Sequence, residues 1–261
     1  MAFSKDRFRL DGKVAVVTGA GGRPNSIGRA YSIGLAEMGA AVVVADLDGS
    51  GAETVASEIT GTGGRAIGVQ VDIANPDSVS RMAAAAQDRF GGVDILVNNA
   101  ALMAELTYEP VISTSLADWQ KVLDINLTGA LNCAQAIVPI MRRRGGGRII
   151  NQLSGGAFPP TTLYGISKIA LLGLTTTLAK ELGPDNISVN AIAPGQVTSA
   201  AGMYLSPEGS PFRKMLESQV ALRVTGDPDD LVGPLILLCS SAGDWITGQV
   251  LHVDGGWIIR P

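Results

Sequence analysis

Short apolar runs alternate with stretches of helical periodicity along most of this chain. The segment at 13–18 is rich in β-branched residues and ends at a group of glycines, as a buried strand does. The next stretch, 28–38, places apolar residues at helical spacing. Six further runs have strand character, and they lie at 41–45, 66–71, 93–97, 148–151, 187–191 and 250–253.

Strands that are apolar throughout and are separated by helices predict a parallel sheet that is covered on both faces. Because crossover connections are right-handed, the expected topology is a doubly wound sheet of Rossmann type. No linker of low complexity and no repeat interrupts the pattern. We therefore expect a single α/β domain over residues 1–261, with seven parallel strands and helices on both faces of the sheet.

Composition adds limits on function. Apolar residues make up 46% of the 261 residues and charged residues 17%, which suits a buried core. The net charge is −4 and no dense basic stripe is present, so nothing indicates a nucleic-acid partner. The short arginine cluster at 142–144 is interpreted as the end of a helix, where cations complement the helix dipole.

The cysteine and histidine content argues against two further classes of site. Cys133 and Cys239 lie in apolar stretches and are expected to be buried thiols in a reducing compartment. His252 is the single histidine, which argues against a metal centre and against a Ser-His-Asp triad. The first ten residues lack an apolar signal core, and the longest apolar run is too short to span a bilayer. We expect a cytoplasmic protein without a metal or a membrane partner.

A glycine-rich turn between the first strand and the first helix is typical of a nucleotide site. Glycines occupy positions 19, 21, 22 and 28. There a dinucleotide fold brings its backbone close to a pyrophosphate, and the helix N-terminus supplies unpaired N–H groups. A plain turn is the alternative interpretation of the glycines alone.

Acidic residues at strand ends strengthen the nucleotide interpretation. Asp46 ends the second strand, 18 residues after Gly28, where an acid accepts hydrogen bonds from the adenosine ribose and repels a 2′-phosphate. This favours NAD over NADP, unless Arg23 reaches the ribose. Asp72 follows the third strand and either caps a helix or contacts adenine. The NNAA segment at 98–101 suits a crevice wall, or an ordinary Asx turn.

Tyr164 and Lys168 are the strongest candidates for chemistry. They are four residues apart and share one helical face. A nearby ammonium favours the phenolate and lowers the pKa of a tyrosine from about 10, so such a tyrosine can exchange a proton with an alcohol or carbonyl oxygen. Ser154 can hydrogen-bond the same oxygen, and the Asn126 amide can hold a water beside the lysine. Since this spacing is common by chance, the prediction depends on the whole set.

The chain resembles the short-chain dehydrogenase/reductase family, in its form of about 250 residues, over nearly its whole length. The segments that carry the resemblance are TGAGGRPNSIG, NNAA, NLTG, YGISK, NAIAPG and ITGQVLHVDGG. The resemblance implies that Tyr164 is the catalytic acid/base and that Lys168 binds the nicotinamide ribose and lowers the pKa of Tyr164. It also implies that Ser154 orients the substrate and that Asn126 supports a proton relay.

The same resemblance implies a set of cofactor contacts. Asp46 matches the NAD-selecting acid, and Asn98 matches the residue behind the ribose. The implied cofactor-binding residues are Gly19, Ser26, Ile27, Gly28, Asp46, Leu47, Asp72, Ile73, Asn98, Ala100, Tyr164, Lys168, Pro194, Gly195, Val197 and Ser199.

Two loops depart from the family pattern. Gly19 and Gly28 are nine positions apart, three more than in the family's loop, and Ser26 stands where the middle glycine is expected. This loop partly resembles that of the enoyl-acyl-carrier-protein reductases, which space their Tyr and Lys more widely. Ser154 and Tyr164 are ten positions apart, about three fewer than usual, which should reshape the substrate pocket.

The substrate side is predicted to be apolar. The stretch after NNAA and a lid at about 198–222 should form its walls, with no basic pair for a phosphate or coenzyme A. Candidate wall residues are Leu102, Met103, Phe158, Leu163, Met203 and Tyr204. The C-terminal segment resembles one that packs subunits in the family, which implies a homotetramer with His252 in the core or at an interface.

We therefore expect an enzyme that moves a hydride between NAD(H) and a small to medium, largely apolar secondary alcohol or ketone. One alternative is a nucleotide sensor on the same fold without turnover. Another is an enzyme that keeps the cofactor but reduces a C=C bond or dehydrates its substrate, because one fold hosts many chemistries.

Overall fold

Seven strands form one fully parallel sheet in the computed structural model, which describes residues 4–103, 109–222 and 225–259. The strand order is β3-β2-β1-β4-β5-β6-β7, and every neighbouring pair is parallel. This confirms the predicted doubly wound sheet. The strands are β1 (Val14–Thr18), β2 (Ala41–Asp46), β3 (Arg65–Gln70), β4 (Ile95–Asn98), β5 (Gly147–Gln152), β6 (Ile187–Pro194) and β7 (Val250–Val253).

Helices cover both faces of the sheet and bury two large apolar cores, and a third, smaller cluster includes Leu153, Phe158 and Leu171. One core packs α1, α2 and α9 on the sheet, and the other packs α3, α5 and α6 on the opposite face. Within the described ranges, the helices are α1 (Ile27–Glu37), α2 (Gly49–Gly61), α3 (Pro76–Phe90), α4 (Leu116–Leu123), α5 (Gly129–Arg143), α6 (Leu163–Leu182), α7 (Ala200–Leu205), α8 (Pro211–Gln219) and α9 (Val232–Cys239). None of them has the length and apolar composition needed to cross a membrane.

Local sequence signals explain where the site-forming helices begin. Ser26 caps α1 by accepting a hydrogen bond from the Arg29 N–H, and Thr162 caps α6 by accepting one from Gly165. Each of these helices follows the loop that leaves the carboxyl end of a strand, α1 after β1 and α6 after β5. The neighbouring strands β1 and β2 are buried almost throughout and consist mainly of valines and alanines, since both of their faces are covered.

One turn of π-helix, Asp124–Thr128, joins α4 to α5 and contains Asn126. A π-turn adds one residue to a helical turn, and such bulges are frequent at functional sites. Its position presents the Asn126 side chain to the loop that leaves β4.

Candidate active site

A cavity of about 1140 Å³ opens at the carboxyl ends of the central strands. It lies where the strand order reverses between β1 and β4, which is the ligand-binding position of doubly wound sheets. The predicted site residues that line it are Gly19, Ser26, Ile27, Gly28, Asp46, Leu47, Asp72, Ile73, Ala100, Ser154, Tyr164, Lys168, Pro194, Gly195, Val197 and Ser199.

The glycine turn after β1 is packed so closely that side chains would not fit. A Cβ on Gly28 would lie 2.4 Å from the carbonyl oxygen of Gly19, and one on Gly19 would lie 2.6 Å from Cα of Ala100. Gly19 also has φ +67°, a left-handed conformation that favours glycine. The turn leads into the N-terminus of α1, which supplies backbone N–H groups. The glycines have no side chains, so the backbone itself lines the cavity here. This arrangement fits the pyrophosphate of a dinucleotide.

The extra length of this loop is folded onto the end of β2. The Asp46 carboxylate accepts hydrogen bonds from the N–H groups of Gly21 at 2.8 Å and Gly22 at 3.0 Å, and a third from Asp48 at 3.0 Å. A Cβ on Gly21 would lie 2.2 Å from the Ala52 nitrogen, so the loop also rests on the first turn of α2. Asp46 therefore organises the loop as well as lining the cavity.

Lys168 is held beneath Tyr164 at the floor of the cavity. Its Nζ donates to the backbone carbonyl of Gln152 at 2.7 Å and lies 5.5 Å from the centroid of the Tyr164 ring. The lysine is only 1% exposed, and this burial lowers its pKa to about 7. Ser154 lies on the same wall, and its hydroxyl accepts a hydrogen bond from the Gly156 N–H at 3.1 Å. Its own proton is not used in that bond, which leaves it available to a substrate oxygen.

Asn126 does not line the cavity, and its amide is already bonded within the protein. Its Oδ1 accepts from the Leu102 N–H at 2.7 Å, while Nδ2 donates to the Leu102 carbonyl at 3.1 Å and to the Ser167 hydroxyl at 3.0 Å. An amide has two donors and an oxygen with two lone pairs, so about one acceptor position is left. A relay water, as predicted from the sequence, would have to donate to that oxygen.

The two asparagines after β4 have separate positions. Asn98 is buried behind the cavity, where its Nδ2 donates to Asn151 at 2.9 Å, and Asn151 in turn donates to Thr175 at 2.9 Å. Asn99 does line the cavity, and its Nδ2 donates to the carbonyls of Thr18 and Gly19, both at 2.9 Å. Only Asn98 was predicted as a site residue, although Asn98 and Asn99 are adjacent in the NNAA segment.

Sequence reasoning missed a buried pair beneath Lys168. The Tyr31 hydroxyl, on α1, donates to the Gln152 side-chain oxygen at 2.8 Å, and the ring is fully buried. Burial raises the pKa of Tyr31, so it stays a neutral donor. The pair fixes the end of β5, whose carbonyl holds Lys168. No local pattern indicates this contact, because it joins two elements that are far apart in the sequence.

The substrate side differs in part from expectation. Leu102, Met103 and Phe158 line the cavity as predicted, whereas Leu163 packs in the interior and Met203 and Tyr204 are exposed on α7. The reason is that α7 turns its other side toward the cavity, and the apolar face of α8 takes the place of those residues. The additional wall residues are Phe212, Met215, Leu216, Gln219, Trp257 and Ile258.

The free energy of unfolding should depend on pH because Lys168 is buried. With a pKa of about 7 in the folded protein and about 10.4 when unfolded, the unfolded chain binds more protons between these values. The stability of the unaltered protein should therefore rise by about 2 kcal/mol between pH 7 and 9 from this group alone. The Lys168→Met variant should lack this increase and be the more stable protein at pH 7.

Urea unfolding at pH 7 and 9 measures both quantities. Lys180→Met serves as the control, because Lys180 is an exposed lysine on the same helix. The free energy of unfolding of Lys180→Met should change between pH 7 and 9 by the same amount as that of the unaltered protein. The same change in Lys168→Met would contradict a lowered pKa for Lys168.

Among the described residues, no three His, Cys, Asp or Glu side chains come together as metal ligands would. The ring of His252 packs against the ring of Phe158, with 5.0 Å between the ring centroids. His252 is therefore part of the packing behind the cavity wall, as the sequence predicts.

Comparisons with known proteins show the family to which this sequence is similar. A family model described as Enoyl-(Acyl carrier protein) reductase matches residues 21–258. An uncharacterized oxidoreductase of Mycobacterium tuberculosis is 42% identical over 251 residues, which cover 96% of this chain and 99% of that protein. The 7alpha-hydroxysteroid dehydrogenase of Escherichia coli is 36% identical over 260 residues, covering 98% of each chain.

Solved structures extend the similarity to the fold. A 7alpha-hydroxysteroid dehydrogenase complexed with NADH and 7-oxo glycochenodeoxycholic acid has a TM-score of 0.90 at 34% identity, covering 98% of each chain. A gluconate 5-dehydrogenase from Burkholderia cenocepacia in complex with NADP and tartrate has a TM-score of 0.89 at 34% identity, covering 97% of each chain. Both complexes thus contain a nicotinamide cofactor, but only the cofactor of the second carries a 2′-phosphate.

Proposed function

The chain belongs to the short-chain dehydrogenase/reductase family, and from that premise we propose that it transfers a hydride between NAD(H) and a secondary alcohol or ketone. The observation that carries the proposal is the placement of Tyr164 above buried Lys168, beside Ser154, in one cavity with the glycine turn. A fold alone does not define a reaction, but a tyrosine, a lysine and a serine grouped in one cavity support proton transfer to a substrate oxygen.

Each side chain of the proposed centre has one task. The cofactor, when bound, supplies or accepts the hydride. During reduction, the Tyr164 hydroxyl donates its proton to the substrate oxygen, and it takes the proton back during oxidation. Ser154 donates a hydrogen bond to the same oxygen, which favours the charge that develops there. The Lys168 ammonium favours the phenolate form of Tyr164 by electrostatic attraction.

The charge of Asp46 supports NAD as the cofactor. The carboxylate lies at the end of β2 and lines the cavity, where it would repel a 2′-phosphate. Two carboxylate oxygens offer about four acceptor positions, and three are used by backbone N–H groups. About one position is therefore left for a ribose hydroxyl. Arg23 also lines the cavity and would attract a phosphate, so the preference depends on the balance between these two side chains.

An apolar, neutral substrate is supported by the wall beyond Ser154. Along the described residues, the charged groups that line the cavity are Arg23, Asp46, Asp72 and Lys168. The first three follow the strands of the nucleotide half, and the fourth lies beneath Tyr164. The substrate half is lined by aromatic and aliphatic side chains of α8 and the C-terminal turn, and we propose that 198–222 acts as its lid. Such a wall binds an apolar body through burial rather than through charge.

A substrate screen at the nicotinamide absorbance tests the proposal. We expect turnover of neutral alicyclic or aryl alcohols and ketones with NAD(H), and faster turnover than with NADP(H). Sugar acids such as gluconate should be poor substrates. Strong turnover of a sugar acid would contradict the apolar pocket, and binding of NADH without turnover of any compound would favour the sensor.

The matched family model gives a specific reason to test a second reaction, because its description names an enoyl reductase. In that reaction the hydride adds to a C=C bond of a thioester. The spacing of Tyr164 and Lys168, one helical turn, favours the alcohol and ketone chemistry instead. An enoyl thioester and a 3-oxoacyl thioester in the same screen distinguish the two.

We also propose that the protein is a homotetramer. On helix α6, the apolar side chains of Ile169, Leu172 and Leu174 are only partly covered in a single chain. A partner subunit would bury them further, and β7 is an edge strand that a partner would cover. Light scattering at micromolar concentration should give four times the 26.9 kDa mass of one chain. The mass of a single chain would refute the proposal.

A cytoplasmic location is our proposal for the compartment. It is supported by Cys133 and Cys239, which are both free and buried in the structure. Free thiols are typical of a reducing compartment.

A further inference from the structure

The lengthened glycine loop crosses the cofactor cleft and bonds to the opposite wall. The Asn25 side chain donates from Nδ2 to the backbone carbonyl of Thr198 at 2.7 Å. Asn25 belongs to the loop between β1 and α1, whereas Thr198 lies at the root of the proposed lid, after β6. Gly22, Arg23 and Ser26 line one side of the cavity, and Val197 and Ser199 line the other. The bond therefore joins the two sides.

Both ends of this bond are fixed to the body of the protein. On the loop side, Gly21 and Gly22 are bonded to Asp46. On the lid side, the Thr198 N–H donates to the Gly226 carbonyl at 2.9 Å, and its hydroxyl donates to the Asp227 carboxylate at 2.6 Å. A hydrogen bond between two anchored segments restricts their separation more than one between free loops does.

The backbone at Asn25 is shaped for this contact. Its φ is +51°, in the left-handed region that asparagine tolerates better than most residues. The three residues by which the loop exceeds the family pattern supply the length to reach the lid. The added loop length and the asparagine at position 25 thus both favour the hydrogen bond to Thr198.

We propose that Asn25 is a clasp residue that ties the phosphate loop to the root of the lid and slows the release of the nicotinamide cofactor. The inference rests on the proposed function in one respect, namely that this cleft holds a nicotinamide dinucleotide. The cofactor has to pass between the two walls to leave, and the bond has to break before they separate. Loss of one exposed hydrogen bond should then raise the release rate by about 3- to 10-fold.

Stopped-flow displacement of NADH measures this rate without any substrate. Asn25→Gly removes the amide but keeps a residue that readily adopts the left-handed conformation, and Asn25→Asp keeps the shape but removes the donor. Asn186→Gly is the matched control, since Asn186 is the other non-glycine residue with positive φ in the described ranges. Its Nδ2 donates to the Gly145 carbonyl, and it does not line the cavity.

We expect faster NADH release in both Asn25 variants, little change in the association rate, and unchanged release in Asn186→Gly. Release rates in Asn25→Gly equal to that of the unaltered protein would overturn the clasp while leaving the proposed function intact. If the unaltered protein binds neither NADH nor NADPH, the proposed function and the clasp both fail. Thermal unfolding of each variant verifies that the fold is retained.

Discussion

Replacing Tyr164 by phenylalanine should reduce turnover by about 10²- to 10⁴-fold, which is the contribution expected of a positioned acid or base. The substitution removes one hydroxyl and keeps the ring that lies over Lys168. Without that hydroxyl, Ser154 can still donate a hydrogen bond to the substrate oxygen, but an aliphatic hydroxyl is too weak an acid to take over the proton transfer. The loss should appear mainly in kcat and kcat/KM together, because the missing interaction acts in the transition state.

Cofactor binding separates a chemical defect from a folding defect. We expect Tyr164→Phe to bind NADH with nearly unchanged affinity, as measured by fluorescence titration. Tyr204→Phe is the matched control, because Tyr204 is 70% exposed on α7 and does not line the cavity. That variant should turn over normally. Normal turnover in Tyr164→Phe would remove this residue from the mechanism and require another acid.

The fold was predictable because its signals are local. The central strands β1 and β4 are short apolar runs, and the site-forming helices α1 and α6 begin at the side-chain caps Ser26 and Thr162. The seven strands occur near the predicted positions, with no end shifted by more than three residues. β6 shows the largest shift at its end, since it continues to Pro194 instead of ending at 191. A buried apolar run does not mark where the last hydrogen bond of a strand is made.

The candidate site was predictable where a residue follows directly from its element. Tyr164 and Lys168 share a helical face, and Asp46 ends a strand, so their approximate positions follow from secondary structure alone. The bonds that these residues make do not. Lys168 donates to the Gln152 carbonyl, and that strand end is held by Tyr31, which is 121 residues away in sequence.

The walls of the cavity were the least predictable part. Trp257 lies against Gly155, where a Cβ would be 2.6 Å from its ring, and its Nε1 donates to Gln219 on α8 at 3.0 Å. These contacts join the C-terminal turn, the loop after β5 and the lid. Their formation depends on the tertiary paths of three loops, for which periodicity carries no information.

Substituting Asp46 by alanine should raise the preference for NADP over NAD by about 10- to 100-fold, because it removes a negative charge that opposes the 2′-phosphate. A second effect comes from the loop. The Gly21 and Gly22 N–H groups lose their acceptor, so the loop is less ordered and both cofactors should bind more weakly. The ratio of the two affinities therefore reports the charge, while their common decrease reports the loop.

The neighbouring acid provides the control for that ratio. Asp48 carries the same charge two positions away, but its carboxylate caps α2 through Ser50 and Gly51 and does not line the cavity. Asp48→Ala should lower stability through the loss of the cap and leave the NADP to NAD ratio unchanged. An unchanged ratio in Asp46→Ala as well would mean that Asp46 serves only to hold the loop. Discrimination would then have to come from Arg23 or from the shape of the lengthened loop, and NAD would lose its main support as the cofactor.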